Sequence, residues 1–222
     1  MTKFYLVRLI NTLFILITCY SCSNLYLPTQ TSSVFNILLK NFSENESNIN
    51  KITIESIPYA SSLISFGGNK KSLIILETIN ENDNTWVSSD KVRFIENNGR
   101  IIRSLGMPND LYNIERPEID FDFLLSEKNF SYIAYYSFKS PDLNNLKVEI
   151  NSKVVGLETI EILGDKRQLL LVEESLYGPI VNWSAVNKYW LDPLTRYVWK
   201  SKQYLSPRLP YIQIEVTKKP AK

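Results

Sequence analysis

Short runs of β-branched and aromatic residues, separated by turn residues, recur through most of this chain of 222 residues. Val92 to Ile95 and Arg100 to Leu105 flank Asn97, Asn98 and Gly99. Asn followed by Gly between two such runs predicts a hairpin with a type I′ turn, because this turn needs positive φ at both central positions. The β pattern begins with Ile52, Ile54 and Ile57, and the other predicted strands are Leu73 to Thr78, Ser131 to Phe138, Leu146 to Ile150, Val154 to Leu163, Arg167 to Ser175, Val186 to Leu191, Tyr197 to Tyr204 and Tyr211 to Val216. About ten strands with few helical periods predict a mainly β fold, an antiparallel barrel-like domain or a sandwich.

Two segments depart from this pattern. Thr31 to Phe42 has apolar residues at helical spacing behind a Ser/Thr cap and predicts a short N-terminal amphipathic helix. Asp110 to Glu127 is acidic and contains Pro117, which is typical of a linker between two β halves or of a loop strapped over a barrel. We therefore expect a single β-rich domain over residues 32–222, with two β halves joined near 110–127 as the alternative.

The N-terminus has the pattern of a lipoprotein signal peptide. Lys3 and Arg8 precede an apolar run from Leu9 to Ile17, which ends at Cys19 and Cys22. The run is too short for a permanent transmembrane helix, which needs about 20 residues to cross the bilayer hydrocarbon. We therefore predict a signal peptide over residues 1–21, removed before Cys22, and a polar tether over residues 22–31.

Either cysteine could become the lipidated N-terminus. Cys22 follows the small residue Ser21, whereas Cys19 has the aliphatic Leu16 three residues before it but Thr18 beside it. The residue at the scissile bond is the tighter constraint, so we predict lipidation of Cys22, with Cys19 as the alternative. No Asp follows Cys22, which favours the periplasmic face of the outer membrane.

Composition excludes several classes of function. The chain contains no histidine, which excludes a Ser/His/Asp or Cys/His triad and histidine-ligated zinc. Both cysteines lie in the signal region, so we expect no disulfide in the domain. Without the signal peptide the acidic and basic side chains balance, which argues against nucleic-acid binding. We predict no metal and no cofactor.

Paired carboxylates could still support a glycosidase without histidine. Glu173 and Glu174 are neighbours on a predicted strand, so their side chains point to opposite faces and cannot converge on one substrate. Asp120 and Asp122 would share a face only if their segment were extended. We therefore predict no catalytic residue, and a carboxylate-based polysaccharide hydrolase or lyase remains the alternative function.

An ordered set of short strings resembles the YjbF/GfcB family of group 4 capsule and exopolysaccharide lipoproteins. The strings are IPYA at 57–60, SFGGN at 65–69, TWVSSD at 85–90, NGRI at 98–101, LGMPNDL at 105–111, VEE at 172–174, NKYWLDP at 187–193 and WKSKQ at 199–203. The resemblance implies a barrel-like, lipid-anchored protein of the outer membrane that assists assembly or secretion of surface polysaccharide without catalysis. Its partners would be the membrane, export components and nascent polysaccharide.

The last two strings predict a hairpin with an apolar face and a cationic face. In the first strand Asn187, Tyr189 and Leu191 alternate with Lys188 and Trp190, and the second strand begins at Trp199, which packs on Trp190 if the register brings the two opposite. Aromatic residues in strands are usually core residues, but flat rings also stack on sugars. The predicted glycan or partner surface, with structural scaffolding as the alternative, consists of Tyr59, Trp86, Tyr189, Trp190, Trp199, Lys200 and Gln203.

Overall fold

The computed structural model describes residues 51–221. It contains twelve strands, two α-helices and one 3₁₀ turn, Pro179–Val181. The strands are β1 (Ser61–Phe66), β2 (Ser72–Asn80), β3 (Asp83–Ser88), β4 (Arg93–Asn97), β5 (Arg100–Leu105), β6 (Asp110–Glu115), β7 (Asn129–Lys139), β8 (Leu143–Ile162), β9 (Asp165–Gly178), β10 (Trp183–Leu191), β11 (Val198–Gln203) and β12 (Ile212–Lys218). The helices are α1 (Lys51–Ser56) and α2 (Phe121–Glu127). The predicted signal peptide, both cysteines, the tether and the helix at 31–42 lie outside the described residues.

All twelve strands belong to one antiparallel sheet that forms a nearly closed barrel, so the predicted fold class is confirmed. Strands adjacent in sequence pair with one another except β5 and β6, and β12 returns to pair with β1. β5 and β6 stand at the two ends of this order, and side chains bridge the seam between them. Ser104 Oγ accepts from the backbone N–H of Leu111 at 3.0 Å and donates to Asp110 Oδ1 at 2.9 Å, and Arg103 Nε donates to the carbonyl of Tyr112 at 3.0 Å.

The barrel interior holds the main hydrophobic core. Alternate residues of each strand face inward, as expected for a pleated strand with one buried face. The fully buried members with the largest side chains are Ile64, Ile74, Phe94, Ile101, Leu111, Phe138, Leu146, Tyr189, Leu191 and Ile212. A smaller cluster comprises Ile160, Ile162, Leu169 and Leu171 of β8 and β9 with Trp190 of β10.

The hairpin predicted from Asn98 and Gly99 is confirmed. Asn97 pairs with Arg100, and the two residues between them have φ of +49° and +81°. The second predicted hairpin, β10 and β11, also forms, and its turn is held by Asp192 Oδ1, which accepts two backbone N–H groups.

The β pattern was misleading at Lys51–Ser56, which forms α1 instead of a strand. Ile54 is buried and Ile52 is largely exposed, so the alternation in the sequence does not correspond to two sheet faces. The predicted strands Leu146 to Ile150 and Val154 to Leu163 are parts of the single strand β8. The polar residues 151–153, which separate the two predicted runs, continue the regular pairing with β9, and a bulge follows them near Gly156.

The acidic segment 110–127 contains strand β6 and helix α2. Asp120 caps α2 by accepting the backbone N–H of Phe123 at 2.8 Å, and the helix buries Phe121 and Leu124. The division of the chain into a signal peptide, a tether and one or two β units stays a prediction.

Candidate functional site

A buried ion pair lies inside the barrel. Arg100 of β5 donates to Glu174 Oε1 of β9 at 2.8 Å, and their side chains are only 6% and 3% exposed. The guanidinium also lies 3.8 Å from the ring centroid of Phe121 and 5.3 Å from that of Tyr189. Tyr132 donates its hydroxyl to the same carboxylate at 3.3 Å. Burial opposes the charge of Arg100, but the attraction and hydrogen bond of Glu174, together with Tyr189 and Tyr132, outweigh it and raise the pKa of the guanidinium.

Two amide side chains extend this buried cluster. Gln203 accepts the backbone N–H of Ile101 at 2.9 Å and donates to the carbonyl of Gly99 at 2.9 Å, so it joins β11 to β5 across the interior. Asn187 accepts the backbone N–H of Tyr204 at 2.7 Å. A cavity of about 20 Å³ lies among these side chains and Arg100. Because each buried polar group here holds two elements together, the cluster specifies how the barrel closes.

The phenols of the interior remain neutral. Burial, with a smaller contribution from the carboxylate of Glu174, raises the pKa of Tyr132 and of Tyr189. Burial, followed by Tyr132 and then Glu174, does the same for Tyr136. The hydroxyl of Tyr132 therefore acts as a hydrogen-bond donor to Glu174 rather than as a titrating group, and the hydroxyl of Tyr189 accepts from Asn187 Nδ2 at 3.4 Å.

A cavity of about 800 Å³, which we call the mouth cleft, lies at one mouth of the barrel. Ser62 and Ser201 line it, and each stands two residues along its strand from a buried interior residue, Ile64 and Gln203. The mouth cleft is therefore continuous with the inward face of the sheet. Mouths of β-barrels are a common place for ligand sites. The mouth cleft is lined by polar, charged and aromatic side chains, which include Asn82, Asn84, Trp86, Glu96, Asp120, Phe121, Asp122, Arg196, Tyr197, Trp199, Lys200 and Lys219.

Most carboxylates of the mouth cleft already have protein partners. Glu96 accepts from the indole N–H of Trp86 and the side-chain amide of Asn84, each at 3.2 Å, and from the backbone N–H of Gly99. Asp122 pairs with Arg196 at 2.8 Å, and Asp120 is the cap of α2. Glu81, on the turn between β2 and β3, is exposed.

Two aromatic rings form one corner of the cleft together with a lysine, which we call the Lys219 corner. Tyr197 and Trp199 meet edge to face, with ring centroids 5.4 Å apart. Lys219 Nζ lies 4.2 Å from the Tyr197 centroid and 4.5 Å from the Trp199 centroid. All three side chains are partly exposed, so a ligand in the cleft can contact them.

The structure brings together three of the seven predicted surface residues, since Trp86, Trp199 and Lys200 all line the mouth cleft. Trp86 is buried there, and its ring packs in the core. Lys200 is held by Glu215 at 3.1 Å. The binding role of these residues stays a prediction, and within the cleft Trp199 offers the most accessible ring among them.

The other four predicted residues lie elsewhere. Tyr189 and Gln203 are buried in the interior cluster, Trp190 is buried in the smaller cluster, and Tyr59 is exposed before β1. The three buried side chains contribute to packing, in agreement with the structural scaffolding that was predicted from the sequence as the alternative to a binding surface. Lys200, not Trp199, pairs with Trp190 across the sheet, but Trp199 packs against the same smaller cluster.

Glu173 and Glu174 do point to opposite faces. Glu174 is buried beside Arg100, whereas Glu173 pairs with Lys188 on the outer face at 2.7 Å.

Sequence reasoning missed Tyr197, Glu96 and Lys219 as residues of the cleft. Tyr197 lies two residues before the WKSKQ string, but Glu96 and Lys219 reach the cleft from β4 and from beyond β12, and no local pattern marks them. Within residues 51–221 no helix is both long and apolar enough to cross a membrane. In the same range no three or more Cys, Asp or Glu side chains group as metal ligands would.

The fold and the cleft define a small antiparallel β-barrel protein with an accessible polar mouth. The chain belongs to the family of group 4 capsule polysaccharide lipoproteins, gfcB and YjbF, whose model matches residues 30–217. It is 24% identical over 169 residues to the lipoprotein GfcB of Escherichia coli (strain K12), which covers 74% of this chain and 77% of GfcB. It is 19% identical over 160 residues to the lipoprotein YjbF of the same organism, covering 68% and 72%. The crystal structure of the hypothetical lipoprotein YmcC from Escherichia coli (K12) has the same fold, with a TM-score of 0.66, 18% identity and coverage of 84% of this chain and 95% of YmcC.

Proposed function

We propose that this protein is a non-enzymatic accessory lipoprotein that assists the assembly or export of capsule polysaccharide or exopolysaccharide. Its place would be the periplasmic face of the outer membrane, held by a lipid on Cys22 or Cys19. Membership in the family of capsule polysaccharide lipoproteins supports the link to polysaccharide. The partners would be nascent glycan and components of the export machinery.

The side chains of the mouth cleft support this proposal and indicate which residues would contact the glycan. It combines aromatic rings with amide, carboxylate and cationic side chains in a cavity of about 800 Å³. A sugar has apolar C–H faces that pack on aromatic rings and hydroxyl groups that hydrogen-bond to polar side chains. The cleft contains both kinds of side chain. Contact with glycan through this cleft is the mechanism we favour.

Deletion and complementation test the proposal. Loss of the gene should reduce cell-surface polysaccharide or raise periplasmic polysaccharide when the export genes are expressed. The wild-type gene should restore both quantities, and so should Tyr135→Ala, which alters an exposed ring on β7 outside the cleft. Trp199→Ala should restore them poorly, provided that immunoblotting shows equal protein. Unchanged polysaccharide in the deletion strain would refute the proposal.

The alternative is a hydrolase or lyase that uses the carboxylates of the cleft. Four of them line it, which is the observation in its favour, but Glu96, Asp120 and Asp122 are engaged in the bonds described above. Incubation of the purified chain with surface polysaccharide from the same cells, followed by a reducing-end assay, separates the two functions. Release of new reducing ends that Glu96→Gln abolishes would replace the accessory function with the enzymatic one.

A further inference from the structure

The cations of the mouth cleft differ in what neutralises them. Arg196 is paired with Asp122 at 2.8 Å and Lys200 with Glu215 at 3.1 Å. Lys219 is different, because within residues 51–221 no carboxylate lies at salt-bridge distance from it. Its Nζ lies over two rings, and Asp192 interacts with it only at longer range. A cation–π contact stabilises an ammonium but leaves its charge available to an anion.

A second cation lies over the same indole. The guanidinium carbon of Arg167, on β9, is 3.7 Å from the Trp199 centroid. Its Nε is buried and has no hydrogen-bond acceptor among the described residues. The nearby carboxylate of Asp165 is engaged by Lys51 at 2.9 Å. Trp199 is therefore bordered by two cations, neither of which is neutralised by an ion pair.

None of the four carboxylates that line the cleft forms a salt bridge with Lys219. Glu96 and Asp120 accept hydrogen bonds from neutral donors and form no ion pair with Lys219, and Asp122 is paired with Arg196. Glu81 is the remaining acidic side chain of the lining, and it is exposed on the β2–β3 turn. The ammonium of Lys219 is thus free to form an ion pair with an anionic ligand that enters the cleft.

We propose that the Lys219 corner binds an acidic sugar residue, with its carboxylate on Lys219 and its C–H face against Tyr197 and Trp199. This inference rests on the proposed contact with glycan and adds that the cleft prefers acidic sugars to neutral ones. The four-carbon stem of Lys219 lets the ammonium move from above the rings to their edge, where it can pair with the carboxylate while the ring face is taken by the sugar. Arg167 adds long-range attraction from the other cation on the indole.

Calorimetry with two trisaccharides of matched length tests this proposal on the full chain in detergent. Tri-galacturonate should bind, maltotriose should bind at least tenfold more weakly, and added salt should weaken only the first interaction. Lys219→Met should lower the affinity for tri-galacturonate by about tenfold, because one charge-assisted contact typically contributes on the order of 1.5 kcal/mol. Lys147→Met makes the same change of charge on β8, outside the cleft, and should leave the affinity unaltered.

The outcomes separate this inference from the proposed function. Equal binding of both sugars, unchanged in Lys219→Met, would overturn the preference for acidic sugar and support glycan contact as such. Binding of neither sugar at millimolar concentration would overturn the inference, while the polysaccharide phenotype of the deletion strain would still decide the proposed function. Near-identical melting curves of Lys219→Met and wild type would show that the variant is folded.

Discussion

Replacing Glu174 by Gln removes the charge that neutralises Arg100 in the barrel interior. Arginine does not lose its proton in proteins, so the variant must keep a guanidinium buried without a counter-ion. Gln retains an acceptor for Arg100 and for the hydroxyl of Tyr132, and the contact of the guanidinium with Phe121 at 3.8 Å persists. The loss is therefore electrostatic rather than a loss of packing.

The expected magnitude follows from the burial of the pair. Both side chains are at most 6% exposed, and breaking a pair of this kind usually costs about 3–5 kcal/mol. Because Gln keeps the hydrogen bonds, we expect the lower end, about 3 kcal/mol. For a domain of this size that corresponds to a fall in Tm of roughly 6–12 °C.

Glu173→Gln is the matched control, since it makes the same chemical change at the next residue. Glu173 is 27% exposed and pairs with Lys188 on the outer face, so its loss should cost less than about 1 kcal/mol. Urea unfolding followed by tryptophan fluorescence gives both free energies of unfolding. A double replacement, Arg100→Met with Glu174→Leu, should recover much of the loss, because an apolar pair leaves no buried charge. Equal losses for Glu173→Gln and Glu174→Gln would refute the reasoning.

Two further predictions concern a tight turn and the N-terminus. Gly99→Ala should destabilise the protein by about 2 kcal/mol more than Gly164→Ala in urea unfolding, because both positions have positive φ but only the Cβ at Gly99 would lie within 2.9 Å of Val198 carbons. Equal losses would mean that Val198 moves aside without cost. Cys22→Ala should abolish incorporation of radiolabelled palmitate in cells, whereas Cys19→Ala should not. Loss of labelling in Cys19→Ala alone would show that the lipid is attached to Cys19.

The strands that pair locally were predictable because their signals are local. The turn at Asn98 and Gly99 needs positive φ at both positions, and the alternation of Asn187, Tyr189 and Leu191 with Lys188 and Trp190 is a property of the strand itself. The same logic failed at Ile52 and Ile54. A period of two over so few residues is compatible with one turn of helix, and only packing against the rest of the chain decides between them.

The mouth cleft was predictable only in part. Trp199 and Lys200 belong to a string with visible pattern, but Lys219 lies about 20 residues further on and reaches the same cavity because β12 runs back beside β11 and β1. Closure of a barrel depends on the register of every strand pair, and a bulge shifts the register by one residue. The bulge between Trp190 and Leu191 places Lys200 rather than Trp199 opposite Trp190.

The sequence by itself determined that this chain is a β protein without histidine chemistry, and that its strands carry one apolar and one polar face. Those properties depend on residue type and on a period of two, which the chain displays directly. The tertiary structure alone decided that Glu174 neutralises Arg100 inside the barrel while Lys219 keeps its charge at the mouth. Each of these environments is made by side chains distant in sequence, which meet only when β12 pairs with β1 and the sheet curls into a barrel.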